Sequence, residues 1–401
     1  MIANINKFSL PENVEFCTKC VISNQRPSTV IELKHKQRSA KPTIKFKNGI
    51  CNACLYHEKK YNQIDWGKRE AELIKLCDKH RSKDGSYDVI VPGSGGKDSI
   101  YVAHILKTKY GMNPLTVTWS PNMYTDIGYK NFKNWLASGF DNVFIKPDFD
   151  THRILTRLAF LNLLHPFQPF MIGQKNVAPK LAIDKNIKLI MYGESQAEGG
   201  SHLSEDNPMM PVDFFAKDKE DIKKINLGGV EYSDLKKYGI KEKNLEHYLP
   251  VSKDKVDKKD IEVHFMSYYK LWIPQNNYYY SVENCGFSPN PERSEGTYSK
   301  YSSLDDKIDG FHYFTTYIKF GIGRASYDAA QEIRNSFIDR DEGIALVKKY
   351  DGEFPEKYFN EFLEYIDIDK NKFWNTIDSY RSPHLWKKIA NEWKLKHTVY
   401  K

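Results

Sequence analysis

The chain lacks any run of apolar residues near the roughly 20 that a membrane span requires. Its first eight residues, MIANINKF, lack the basic start and apolar stretch of a secretory signal. Both absences argue for a cytoplasmic protein with no membrane partner. Cysteine is scarce, with six in 401 residues, and in that compartment disulfides are not expected. The chain also lacks the phosphate-binding pattern GxxxxGK[ST]. Acidic residues are sparse only at the start. Residues 1–60 carry eleven Lys and Arg against four acids, which accounts for +7 of the net +8. Beyond residue 60 the balance is near neutral, so a long RNA track and a nucleic-acid partner are not expected.

At 40% hydrophobic and 28% charged, the composition is that of an ordinary globular protein with room for two or three domains. Residues 87–110, YDVIVPGSGGKDSIYVAHILKTKY, are its sharpest stretch. An apolar run, Val89-Ile90-Val91, is followed by the turn Gly93-Ser94-Gly95-Gly96-Lys97-Asp98-Ser99 and then by apolar positions at helical spacing. A strand, a glycine-rich turn and a helix start form a cradle for an anion, because the first N–H groups of a helix have no partner within it. The block SGGKDS resembles the PP-loop of the N-type ATP pyrophosphatases. That resemblance implies ATP bound through Ser94, Gly95, Gly96, Lys97, Asp98 and Ser99, with Mg²⁺ held near Asp98.

Further strands are expected over 114–120, 142–146 and 187–192, with helices over 61–82, 128–138, 151–164 and 175–186 and a breaker cluster at 165–170. Strands alternating with helices predict an α/β fold with a doubly wound parallel sheet. Ligands in such sheets sit beyond the carboxyl ends of the strands. Those ends are Ser94–Ser99, Thr118-Trp119-Ser120, Lys146-Pro147-Asp148 and Gly193-Glu194-Ser195. The first should hold pyrophosphate and the second should flank the adenine. Glu194 is either a pocket carboxylate or an exposed loop residue.

Cys17-Thr-Lys-Cys20 and Cys51-Asn-Ala-Cys54 have the ligand pattern of a four-cysteine zinc knuckle, although the gap of thirty residues is long, with an outward loop expected over 38–42. Four thiolates leave no open coordination position, so this Zn²⁺ is expected to be structural. Cys77 and Cys285 read as small buried hydrophobes. The charged runs at 217–224 and 253–260 read as solvated faces. The aromatics Tyr268, Tyr269, Trp272 and Tyr278–Tyr280 suit a sugar surface, a partner interface or a core. Near the C-terminus a strand or short helix is expected over 314–319, a helix over 328–340 and a turn pattern over 341–350. Lys319 and Arg324 flank a glycine pair and could both reach a negative group. The expected division is 1–60 knuckle, 61–200 PP-loop domain, 201–310 insertion contacting substrate or partner, and 311–401 a mixed, mainly helical C-terminal region completing the active site.

Taken together, CTKC with CNAC, VPGSGGKDS, YGESQAEGG and KFGIGRASYDAAQEIRNSFIDRDEGIALVKKYDGEFP are similar to the N-acetyl sugar amidotransferase family. These PP-loop enzymes make acetamidino sugars for lipopolysaccharide O-antigen and for pseudaminic- or legionaminic-type glycans. Gly93 stands where the family often has a β-branched or other small residue. The resemblance implies that ATP activates the carbonyl oxygen of a nucleotide-linked N-acetyl sugar as an O-adenylate. Ammonia then displaces AMP. Lys97, Asp98, Glu194 and Arg324 are the implied catalytic residues, with Thr118, Trp119, Ser120 and Gly193 also at the nucleotide. No glutaminase motif surrounds any cysteine, so a separate glutaminase and a cyclase-like ammonia-delivery subunit are expected. The alternative is a PP-loop enzyme that modifies tRNA, of the thiolation or lysidine synthetase type.

Overall fold

The computed structural model describes residues 8–27, 43–201 and 207–401. The loop expected over 38–42 lies outside them. Five parallel strands form the central sheet: β1 Val89–Pro92, β2 Pro114–Trp119, β3 Asp141–Ile145, β4 Leu189–Tyr192 and β5 Glu262–Phe265. Their order is β5-β4-β1-β2-β3. Alternate residues feed two cores. Ile90, Val117 and Ile190 pack on one face, and Val89, Val91 and Met191 on the other. A sheet buried on both faces reads as nearly continuous apolar runs, which is why its inner strands were visible in the sequence.

β5 was not expected. It lies within the 201–310 region between charged segments, and its four residues include Glu262 and His264. Its partner β4 supplies the pairing that makes it a strand. The run at 253–260 became a helix over Lys253–Lys259. The aromatics behind it are largely core: Trp272 and Tyr269 are buried, and Tyr278 stacks on Tyr301 at 4.5 Å.

Two boundaries moved. A helix begins at Gln168, inside the expected breaker cluster, and runs to Lys185. Pro169 falls in its first turn, where a missing N–H is tolerated. The helix expected over 328–340 starts earlier and ends earlier, at Arg324–Arg334, and the turn pattern expected over 341–350 is the helix Arg340–Tyr350. Ser336 takes φ +60°, and Asp339 caps the second helix by accepting from the Glu342 N–H at 2.8 Å. The stretch left open as strand or helix is the helix Asp309–Phe320. The C-terminal region ends in an antiparallel hairpin, Trp386–Ile389 with Glu392–Leu395. No helix among the described residues is long and apolar enough to cross a membrane.

Candidate active site

Strand order reverses at β1. The chain runs outward through β2 and β3, then returns to β1's other side with β4. The loops after β1 and β4 therefore part at a crevice, the usual ligand site of such sheets. They carry Ser94–Ser99 and Gly193–Ser195. A side chain built on Gly193 would come within 3.7 Å of the Asp98 Cβ and 2.8 Å of the Trp272 ring, so the two loops meet closely.

The turn after β1 can only be made with glycine at two points. Gly95 has φ +87° and lies against the Asn131 carbonyl, where a Cβ would sit 2.7 Å away. At Gly93 a Cβ would fall 2.2 Å from that of Ser99, so in this chain a larger residue has no space there. Gly96 then precedes the helix Lys97–Thr108. Ser281 pins the helix start by donating to the Lys97 carbonyl at 2.7 Å. Lys97 pairs with Asp98 at 2.5 Å, and Asn277 donates to the other Asp98 oxygen at 3.1 Å. Ser99 donates to the Gly96 carbonyl at 3.0 Å.

A segment from a distant part of the chain covers this turn. Ser94 donates to Asp305, and the Thr125 hydroxyl to the Leu304 carbonyl. Burial pushes the Asp305 carboxyl up to about 6. Gly96, Lys97, Asp98, Tyr301, Asp305 and Arg324 line a recess of about 160 Å³ between the two.

Arg324 also lines a second space, of about 620 Å³. Its walls come from Arg26, Pro27, residues 43–45 and Asn52, from Met171, from residues 194–201 after β4, and from the helices Asp309–Phe320 and Arg324–Arg334. Its volume is that of a small-molecule site. Arg324 opens its helix and is held by Asp328 at 3.1 Å and by the Tyr313 hydroxyl. At the helix start, half-buried Asp351 accepts from the N–H groups of Gly323 at 2.9 Å and Ser326 at 3.0 Å, and the Gly296 carbonyl from that of Ala325 at 3.0 Å. The cation at this helix start is therefore the side chain of Arg324. Arg26 lies 4.7 Å over the Tyr327 ring, and a buried nitrogen of Arg334 has no hydrogen-bond partner among the described residues. Glu194 opens into the same cavity. Its side chain is exposed there, yet desolvation by its close surroundings foremost, then Glu198 and Asp98, push its pKa up to about 7. A larger cavity, of about 780 Å³ among residues 223–245, shares no lining residue with either space.

Beneath the cavity Lys60 is fully buried. It donates to both oxygens of Glu198 at 2.9 Å and to the Trp272 carbonyl at 2.6 Å. Neither this pair nor Arg26, Arg334 or Asp305 was singled out from the sequence.

Of the expected residues, the structure brings Gly96, Lys97, Asp98 and Arg324 to the recess, and Glu194 with Arg324 to the cavity. The end of β2 lines neither. Thr118, Trp119 and Ser120 are buried: Thr118 accepts from Asn142 at 2.9 Å, Trp119 meets Tyr248 edge-on at 5.6 Å, and Ser120 donates to the Pro121 carbonyl at 2.9 Å. Lys319 is buried too and donates to the Leu163 carbonyl at 3.3 Å, so only Arg324 of the two flanking cations reaches the site.

The four N-terminal cysteines converge. Their sulfurs all lie within 4.8 Å of one another, with Cys17–Cys54 at 3.8 Å and Cys20–Cys51 at 3.7 Å. A tetrahedral centre with metal–sulfur bonds of about 2.3 Å has edges of about 3.8 Å, so the cluster fits one metal ion. The backbone N–H groups of Lys19, Cys20 and Cys51 point at the Cys17 sulfur from 3.4, 3.5 and 3.3 Å. Arg340 donates to the carbonyls of Cys17 and Cys20 at 3.2 Å each, tying the cluster to the C-terminal helices.

No match was found among curated proteins. Among solved structures the chain is similar to the U34-tRNA thiolase NcsA from Methanococcus maripaludis with its 4Fe-4S cluster. That likeness has 13% identity and a TM-score of 0.29 over 75% of this chain and 86% of that one, and at such a score it carries no argument. Residues 295–400 match the model of the C-terminal domain of WbpG-like LPS biosynthesis proteins. This match to the last quarter of the chain fits the N-acetyl sugar amidotransferase family that the sequence resembles.

Proposed function

We propose that the chain is an ATP-dependent amidotransferase that converts the N-acetyl group of a nucleotide-linked sugar to an acetamidino group, releasing AMP and pyrophosphate. One observation carries this reading. The SGGKDS turn lies at the switch point of a parallel sheet, and a WbpG-like domain joins its recess to a sugar-sized cavity through Arg324. An amide oxygen is a poor leaving group, and adenylation makes it a good one. The amide oxygen attacks the α-phosphorus and pyrophosphate leaves. Lys97 and the helix start offset the charge that develops on it. Asp98 would hold Mg²⁺, which would supply further positive charge at the phosphates. Arg324 faces both spaces, and its guanidinium suits the AMP phosphate. Ammonia then attacks the activated carbon, and AMP departs. The chain has no cysteine placed as a glutaminase nucleophile among its described residues, since four are clustered and Cys77 and Cys285 are buried. A separate glutaminase with a cyclase-like delivery subunit is the proposed ammonia source.

The test is release of AMP and pyrophosphate from ATP with ammonium chloride, screened in parallel against nucleotide-linked N-acetyl sugars and bulk tRNA. Release should depend on one sugar, and the product mass should show oxygen replaced by NH. With glutamine in place of ammonium the isolated chain should be silent. Release that depends on tRNA would move the function to RNA modification.

For the cysteine cluster we propose zinc, held by Cys17, Cys20, Cys51 and Cys54. Four thiolates close the coordination shell, so the ion braces the cavity wall and takes no part in the chemistry. Metal analysis should find one zinc per chain. Cys20→Ser should lose it together with most of the activity, because Arg26 belongs to the same subdomain. A metal-free protein that stays fully active in a strong chelator would sink this role.

A further inference from the structure

Five carboxylates line the two spaces, and four of them are occupied. Asp98 is held by Lys97 and Asn277, Asp305 by Ser94, Glu198 by Lys60, and Asp328 by Arg324 and the Thr297 hydroxyl at 2.6 Å. Glu194 has no hydrogen-bond partner among the described residues, and its carboxylate is open to the cavity. One residue, Gly193, separates it from the end of β4, and its loop packs against the turn that carries Lys97 and Asp98. We propose that Glu194 is the catalytic base of the second half-reaction, taking the proton that ammonia must lose as it bonds to the activated carbon.

This role rests on the amidotransferase reading. In the first half-reaction the amide oxygen bonds to the α-phosphorus, and the bond to pyrophosphate breaks. The amide nitrogen keeps its proton, so the activated group is a cationic imidate. In the second, the ammonia lone pair bonds to carbon. The new ammonium gives one proton to Glu194, the C–O bond breaks with its electron pair leaving on AMP, and an amidinium remains. Only this second step needs a base. The charge around Glu194 suits a group that must accept a proton near neutrality. Glu198 on its own loop and Asp98 on the neighbouring helix raise its proton affinity, while Lys97 and buried Lys60 lower it. Across the cavity, Arg324 is already paired with Asp328, and Arg26, Lys45 and Arg334 complete the facing cations. His312, Tyr313 and Tyr327 are the remaining titratable groups there.

The two half-reactions can be measured apart. Exchange of labelled pyrophosphate into ATP, with the sugar that turns over in the screen and no ammonia, reports adenylation alone. Amidine formation with ammonium chloride reports both steps. Glu194→Gln should keep the exchange near the wild-type rate, which also shows that the variant is folded. Its amidine formation should fall about 10²- to 10⁴-fold, the usual contribution of a positioned base. In the wild type, kcat at saturating free ammonia should fall as pH drops through about 7, where Glu194 takes up its proton. That limb should vanish in Glu194→Gln and return in Glu194→Asp. Amidine formation that survives in Glu194→Gln would overturn the role, as would exchange that falls in parallel with it. A wild-type chain with no sugar-dependent exchange would overturn the amidotransferase reading, and the role with it.

Discussion

Lys60→Ala should lower the unfolding free energy by about 3–5 kcal/mol, the range for removing one partner of a buried ion pair. Lys60 is completely enclosed, and three hydrogen bonds, two to Glu198 and one to the Trp272 carbonyl, satisfy its ammonium group. Removing it strands the Glu198 carboxylate in a buried site, and burial already outweighs Lys60 in pushing the Glu198 pKa up. The sign of the pH dependence follows. In the variant the folded-state pKa of Glu198 rises further above its unfolded value, so stability is lost as pH rises and regained as pH falls. Urea unfolding at several pH values measures this. Adding Glu198→Gln to Lys60→Met should recover much of the loss, because the double variant leaves no buried charge. A Lys60→Ala protein within 1 kcal/mol of wild type, the level of an exposed pair, would show that solvent reaches the site.

Lys97→Met should reduce pyrophosphate release about 10²- to 10³-fold, as expected for losing one charged donor at a developing anion. The fold should survive. Lys97 is half-buried, and its side chain's only close ion pair among the described residues is with neighbouring Asp98. The helix start is pinned through the Lys97 carbonyl, which the substitution keeps. Thermal unfolding should therefore be close to wild type while turnover collapses. Turnover within tenfold of wild type would remove Lys97 from the chemistry and with it the PP-loop reading of the turn.

What the sequence disclosed was local in character. The strand, turn and helix around Lys97 are contiguous, and their glycines, apolar run and helical spacing occupy one stretch of 24 residues. The two CxxC pairs carry their own spacing. Asp305 meets Ser94 across 211 residues and Glu198 meets Lys60 across 138, and no periodicity records such meetings. β5 escaped notice because a short strand with two ionisable residues resembles a loop until its neighbour is known. Thr118-Trp119-Ser120 lies away from both spaces. A polar-flanked strand end resembles pocket lining, but Asn142 on the adjacent strand takes the Thr118 oxygen, and Trp119 fills the space beside Gly173.

The substrate-sized cavity has a bearing on how such a protein can diverge. Its walls come from segments far apart in the chain, and Arg26, near the cysteine cluster, rests on Tyr327, within the residues that match the WbpG-like model. The cavity is therefore not the property of a single contiguous segment. Under the proposed function a new acceptor would require concerted change in two segments about 300 residues apart, one of them constrained at the same time by its four clustered cysteines. Joint inheritance of both segments, rather than exchange of one of them, is the route this architecture favours.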